Sequence, residues 1–244
     1  MELKGKNVII TGGGVRIGKA ISLALAQEGC HLLIHYHSSH KQALEVKIAA
    51  EKFGVKAFIH QCDLSKKQGV LSLMYAARDL FGNADVLINN AALYLNLENE
   101  SSAFEDFESQ MNVNVRAPYF LSKHFAEQLP EKGKGKIINI SDAAVSQVRT
   151  DYSAYRLTKT ALNSMTKNMA LEFAPNICVN AVALGIMLPL EGKEDDYMEN
   201  YAKFKVPLKT TGNSKVVTDS VIYLLEQDYL TGVVLKLDGG EFLG

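Results

Sequence analysis

Short apolar, β-branched runs alternate with longer stretches of helical spacing from one end of the chain to the other. That rhythm predicts a parallel sheet covered by helices on both faces. The predicted strands are Asn7 to Thr11, His31 to His35, Val55 to Gln61, Asp85 to Asn89, Lys136 to Ile140, Ile177 to Val182 and Val233 to Leu237. Between them lie helical stretches such as Ile17 to Glu28 and Ser38 to Phe53, with Gly29 and Gly54 placed as C-terminal stops. No repeat or linker interrupts the pattern, so residues 1–244 are expected to form one doubly wound α/β domain of Rossmann type with a seven-stranded parallel sheet. The least regular part, Leu184 to Pro207, contains Pro189 and the acidic run Glu191-Gly192-Lys193-Glu194-Asp195-Asp196. Ligands of open α/β sheets sit beyond the carboxyl ends of the strands, so residues 184–207 are expected to act as a substrate lid, with a solvated surface helix as the alternative.

A hydrophobic content of 47% supports a sizeable core, and a net charge of −1 gives no general attraction to nucleic acid or to an anionic membrane. The basic run Lys132-Gly133-Lys134-Gly135-Lys136 reads as a solvated connection entering a strand. Cys30, Cys62 and Cys178 are isolated in apolar contexts, which suits a reducing compartment. Met1 to Lys6 lead straight into the first strand, leaving no room for a signal peptide. No apolar run approaches the roughly 18 residues of a membrane span. A soluble cytoplasmic protein with a small-molecule partner is the expectation.

Chemistry enters with Thr11-Gly12-Gly13-Gly14-Val15-Arg16-Ile17-Gly18, which leaves the first strand and opens the first helix. Glycines there permit a tight turn and close approach of phosphate oxygens to backbone N–H groups at a helix start. A second pattern is Tyr155 and Lys159, four apart on one helical face, where an ammonium lowers the pKa of a phenol from about 10 and prepares it to give a proton. Asp142 stands thirteen residues before Tyr155.

Together these motifs resemble the short-chain dehydrogenase/reductase family over essentially the whole length. Asn89-Asn90-Ala91 resembles its Asn-Asn-Ala-Gly element, Cys62-Asp63-Leu64 the site whose aspartate approaches adenine, and Leu237-Asp238-Gly239-Gly240 its C-terminal Asp-Gly-Gly. The resemblance implies that Gly12, Ile17, Gly18, Asp63, Leu64, Asn90, Ala91 and Gly185 contact a dinucleotide and that Asn114 joins Tyr155 and Lys159 in catalysis. It implies further that Lys159 binds the nicotinamide ribose and that Asn114 helps to hold a water. The end of the second strand carries Tyr36 where an NAD site would place a carboxylate, flanked by His35, His37, Ser38 and Ser39, and Arg16 adds a positive charge. That set favours the 2′-phosphate of NADPH. His35 and His37 share one side of the strand, but no third or fourth ligand lies at a recognisable spacing, so no metal is expected.

The family usually has serine where this chain has Asp142. Ser141 is one position out of register and Tyr152 lacks a lysine partner, so Tyr152 reads as a helix-start surface or packing residue. Reduction of a C=N bond needs a proton at a basic nitrogen, and a carboxyl beside a tyrosine suits that demand. Arg16, the run His35-Tyr36-His37-Ser38-Ser39, Asp142 and the run Asn114-Val115-Arg116-Ala117-Pro118-Tyr119-Phe120 are most similar to the pteridine reductases and bacterial dihydromonapterin reductases. The resemblance implies NADPH-dependent reduction of dihydropterins, extending to folates, with Arg16, Tyr94, Asp142 and Tyr155 at the substrate, and a homotetramer. Ala92, Ser38 and the pair Leu184-Gly185 depart from that pattern. The rivals are a carbonyl reductase, such as one acting on a 3-oxoacyl thioester, and a non-catalytic dinucleotide-binding regulator. Retention of Tyr155, Lys159 and Asn114 argues against the regulator.

Overall fold

Every predicted strand forms. In the computed structural model, which describes residues 1–95, 97, 103–147, 152–189 and 195–243, they are β1 (Asn7–Ile10), β2 (His31–Tyr36), β3 (Ala57–Gln61), β4 (Val86–Asn89), β5 (Gly135–Asp142), β6 (Ile177–Leu184) and β7 (Val234–Leu237). They make a seven-stranded, all-parallel sheet in the order β3-β2-β1-β4-β5-β6-β7. The helices are α1 (Arg16–Gln27), α2 (His40–Glu51), α3 (Lys67–Phe81), α4 (Ala103–Met111), α5 (Ala117–Gln128), α6 (Ser153–Glu172), α7 (Asp195–Lys205) and α8 (Ser214–Glu226). A π-helical turn, Asn112–Arg116, joins α4 to α5, and a 3₁₀ turn, Ala143–Ser146, follows β5.

Strand alternation divides the core into two layers. Val8, Ile10, Leu32, Ile34 and Ile88 face one side and pack with α1, α2 and α8, while Ile9, Leu33, Leu87 and Ile137 face the other and pack with α3, α5 and α6. Because both faces are covered, the strands carry the continuous apolar runs that marked them in the sequence. Left-handed backbone at Gly29 (φ +84°) and Gly54 (φ +79°) ends the connections after α1 and α2 as expected.

Two strands run further than their apolar patterns. Parallel pairing continues through Ser141↔Ala183 and Asp142↔Leu184, because the hydrogen bonds of the ladder are made by backbone and do not require apolar side chains. Asp142 is thereby fixed at the carboxyl end of β5. Of the proposed 184–207 segment, 195–205 are helical, and 190–194, with most of the acidic run, lie outside the described residues.

β1 lies between β2 and β4, so the chain leaves β3 at one edge and crosses over to start β4 on the other side of β1. This reversal opens a crevice above the carboxyl ends of β1 and β4, the position where α/β sheets bind ligands. Leu33 is fully buried at the centre of one layer. Leu33→Ala is expected to lower unfolding stability by about 2–5 kcal/mol, read as a fall in the urea midpoint with little change in slope.

Candidate active site

A cavity of about 1100 Å³ extends over the carboxyl ends of β1, β2, β4, β5 and β6. Its floor is the glycine turn after β1. Gly12 has φ +61°, and a Cβ at Gly18 would fall 2.0 Å from the Gly12 carbonyl oxygen, so this turn can only close against α1 without side chains. Arg16, in the same turn, also has positive φ, +48°. An L-residue there costs on the order of 1–2 kcal/mol. No side chain at the N-cap, Val15, takes up the first N–H groups of α1, whose residues Arg16, Ile17 and Gly18 line the cavity.

The turn is sewn to the sheet by neutral groups. Thr11 Oγ1 accepts from the backbone N–H groups of Asn90 (2.9 Å) and Ala91 (3.0 Å). The Asn90 amide donates to the carbonyls of Thr11 (2.9 Å) and Gly12 (3.1 Å). His35 completes the stitching: its Nδ1 accepts from the Gly12 N–H at 3.1 Å, which makes Nε2 the donor to the Cys62 carbonyl at 3.1 Å. Burial lowers its pKa to about 4. The expectation that His35 donates to a phosphate is therefore corrected, because both ring nitrogens are engaged in holding the turn. Tyr36, His37, Ser38 and Ser39 line the cavity, as do Asp63, Leu64, Ala91 and Gly185. Burial opposes ionisation of Asp63, but hydrogen bonds from Ser65 outweigh it and hold the carboxyl below its ordinary range.

At the other end, Asp142 and Tyr155 meet. The Tyr155 phenol is pushed well above its usual pKa, first by burial and then by the charge of Asp142 and its hydrogen bond to that carboxylate. The other demand on Asp142 is local: its Oδ1 accepts from the Ala144 N–H at 2.7 Å, closing the 3₁₀ turn. Ser141, beside it, has a buried hydroxyl without a hydrogen-bond partner among the described residues. Lys159 Nζ donates to the Ile140 carbonyl at 2.8 Å and lies 5.7 Å from the centre of the Tyr155 ring. Burial lowers the Lys159 pKa to about 8. The sequence expectation that Lys159 lowers the phenol is thus corrected in this structure, where burial and Asp142 dominate and Tyr155 keeps its proton.

Asn114 is buried in the π-helical turn and acts as a clamp. Its side chain accepts from the Leu93 N–H and donates to the Leu93 carbonyl, both at 2.8 Å, and donates to Thr158 Oγ1 at 3.1 Å. It holds the loop that carries Tyr94. Tyr94 is 49% exposed and edge-on to Tyr155 at 4.6 Å. Arg16 reaches the other wall, where Nη2 donates to the Pro189 carbonyl at 2.8 Å.

Tyr152 is a packing residue at the start of α6, as the sequence suggested. It stacks face to face on Tyr94, with centroids 4.3 Å apart and planes 9° apart, and adopts the left-handed φ of +50°. Its place in the cavity wall depends on that backbone twist, which nothing in the local sequence signals. Tyr197, Tyr201, Glu241 and Phe242 also line the cavity and were not singled out by sequence. They come from α7, within the expected lid, and from the segment just after the Asp238-Gly239-Gly240 motif, where no spacing singles out these individual residues.

Comparison with known proteins places this geometry among relatives. Residues 14–241 match the family model described as enoyl-(acyl carrier protein) reductase. The chain is 35% identical to the uncharacterized oxidoreductase YohF of Escherichia coli, over 96% of this chain and 95% of that one. It is 32% identical to the L-rhamnose 1-dehydrogenase (NADP(+)) of Thermoplasma acidophilum, over 100% and 98% of the two chains. The crystal structure of FolM alternative dihydrofolate reductase 1 from Brucella canis, complexed with NADP, superposes with a TM-score of 0.92 at 30% identity, covering 100% of this chain and 97% of that one.

The His35 clamp has a pH signature. Its pKa is about 4 when folded and 6.5 as the ordinary value, so between these the unfolded chain binds a proton that the native chain does not. Stability should accordingly rise with pH from about 4 to 6.5, by up to about 1.4 kcal/mol per pH unit, and fall on acidification through the same window. Urea unfolding at a series of pH values, compared with His35→Gln, checks this: the variant should lose the His35 part of the slope.

Proposed function

The chain belongs to the short-chain dehydrogenase/reductase family, and from that premise we propose that it is an NADPH-dependent reductase of a pterin, dihydropterin to tetrahydropterin, with dihydrofolate as a further substrate. The observation that carries this reading is the Asp142 carboxyl set beside the buried Tyr155 phenol in one cavity, where it raises the phenol's pKa, with the Tyr94 ring against the Tyr155 ring. The dihydrofolate reductase name and NADP complex of the Brucella protein support it.

The residues fit the cofactor. Gly12 and Gly18 leave a cradle that a Cβ would fill, and the uncapped start of α1 suits a pyrophosphate. Tyr36 replaces the carboxylate that would repel a 2′-phosphate, and Arg16, His37, Ser38 and Ser39 offer donors. Lys159 and Tyr155 would take the nicotinamide ribose, and Asp63 the adenine. When bound, NADPH supplies the hydride.

The protein residues handle the proton. Tyr155 retains its proton at neutral pH and can deliver it to a ring nitrogen. The phenolate left behind faces Lys159, whose charge stabilises it, and Asp142 is the neighbouring group through which a proton can return. The face of Tyr94 turned away from Tyr152 is the one on which a flat heterocycle would stack. A carbonyl oxygen would need only a hydroxyl donor at position 142, so a carboxylate there favours the C=N substrate.

The described parts of 184–207 are read as a substrate lid, since Met187, Leu188, Tyr197 and Tyr201 line the cavity. Exposed Tyr119 and Phe120 on α5 and Leu157 and Leu171 on α6 give apolar surface for self-association, in support of a homotetramer. Three free cysteines support a reducing, cytoplasmic setting. Among the described residues no helix is long and apolar enough to cross a membrane.

The test is purified protein with NADPH, offered dihydrobiopterin, dihydrofolate and an acetoacetyl thioester, followed by loss of nicotinamide absorbance. Pterin turnover is expected, and turnover of the thioester alone would overturn the reading. Asp142→Asn should cut pterin turnover more than about tenfold with NADPH affinity nearly unchanged. Tyr36→Asp should weaken NADPH binding by about tenfold or more and favour NADH, measured as the ratio of the two dissociation constants.

A further inference from the structure

The connection from β3 to α3 folds residues 63–66 into a tight turn at the cavity. The Ser65 N–H donates to Asp63 Oδ1 at 2.8 Å, and the Lys66 N–H, at the N-cap of α3, donates to the Asp63 carbonyl at 3.1 Å. The Ser65 carbonyl is in turn the acceptor for Arg116 Nη2, 51 residues further along the chain. Arg116 closes the π-helical turn whose Asn114 holds Leu93 and reaches Thr158. Two residues of one turn therefore fix both the connection after β3 and the connection after β4. Such local widening of a helix recurs at functional sites. Asp63, Leu64 and Ser65 line the cavity, and Arg116 stands outside its lining.

We propose that Arg116 is a positioning residue of the cofactor site, which locks the turn at residues 63–66 so that the Asp63 carboxylate is aimed at the amine-bearing edge of the adenine. The inference rests on the reading that places the adenine at Asp63 and is independent of the pterin substrate. The Ser65 carbonyl and the Lys66 N–H belong to one planar peptide, so a donor on that oxygen fixes the plane whose N–H bonds back to Asp63. Against its burial, which opposes ionisation, Asp63 is kept a carboxylate first by Ser65 and then by the charges of His37 and Lys66. Arg116 therefore contributes through the backbone and not as the counter-charge. A carboxylate only accepts hydrogen bonds, in about four positions, more than the Ser65 N–H uses. Adenine offers it an exocyclic amine as donor. Hypoxanthine has oxygen at that place, so acceptor would meet acceptor. The preference between the two bases then measures how firmly the carboxylate is aimed.

The experiment measures dissociation constants of NADPH and of its reduced hypoxanthine analogue on the full chain, by nicotinamide fluorescence. Wild type should favour NADPH by about tenfold, as a hydrogen bond to a charged acceptor provides. Arg116→Met keeps the apolar stem without a donor and should bring the ratio to about threefold or less, chiefly by weakening NADPH. Arg116→Lys, which still carries a donor on a long stem, should restore most of the preference. Arg116→Gln is shorter and should behave as Arg116→Met, and it decides the matter if Arg116→Met fails to fold. A merely structural role would weaken both dinucleotides alike and leave the ratio at its wild-type value, which would overturn this inference alone. A wild-type ratio near one would overturn the placement of the adenine at Asp63 along with it.

Discussion

The approach of the Asp142 carboxyl to the Tyr155 phenol brings together two elements that the chain builds separately, the end of β5 and the start of α6. That approach depends on β5 pairing with β6 through Asp142, two residues beyond the apolar run, so that the carboxyl is carried on sheet backbone. It depends also on Asn114, which fixes the Leu93 backbone and reaches Thr158 on α6. The wall of tyrosines is arranged beside these two groups. Tyr94 touches Tyr155 edge-on and Tyr152 face-on, so one loop residue contacts both the N-cap of α6 and its first turn.

The dinucleotide end is organised by a different principle. Its connections are neutral: a threonine hydroxyl, an asparagine amide and a histidine kept uncharged by burial. Neutral clamps hold the turn without adding charge beside the phosphate site, leaving Arg16 as the fixed cation of the turn itself. Arg16 occupies a left-handed position that glycine would fill at less cost, and its side chain spans from the turn to Pro189. Backbone strain is accepted there in exchange for a charge placed between the glycine turn and Pro189.

Burial sets the proton chemistry as much as charge does. Lys159 and Tyr155 are four residues apart, as in any helical pair, but the lysine is engaged with the Ile140 carbonyl and the phenol with Asp142. The phenol consequently keeps its proton in this structure, and in the proposed reaction Lys159 comes into play when negative charge develops on it. In a serine-bearing site the hydroxyl neighbour would bring no such charge, so the carboxylate changes the resting state of the tyrosine as well as the shape of the site.

The strands, their parallel arrangement, the glycine turn and the Tyr155, Lys159 and Asp142 set were legible in the sequence, because they are expressed in local periodicity and in fixed spacings along single elements. Sequence spacing even selected Asp142 over Ser141, since neighbouring strand residues point to opposite sides. The functions of His35 and Asn114, the stacked position of Tyr152, and the arrival of Tyr201 and Glu241 were decided only by the tertiary structure. Each depends on a partner far away in the chain: Cys62 for His35, Leu93 for Asn114, Tyr94 for Tyr152, and Glu241 for Tyr201. A hydrogen-bonding or aromatic side chain is compatible with many partners, and which one it meets is set by how sheet and helices pack, not by the residues beside it.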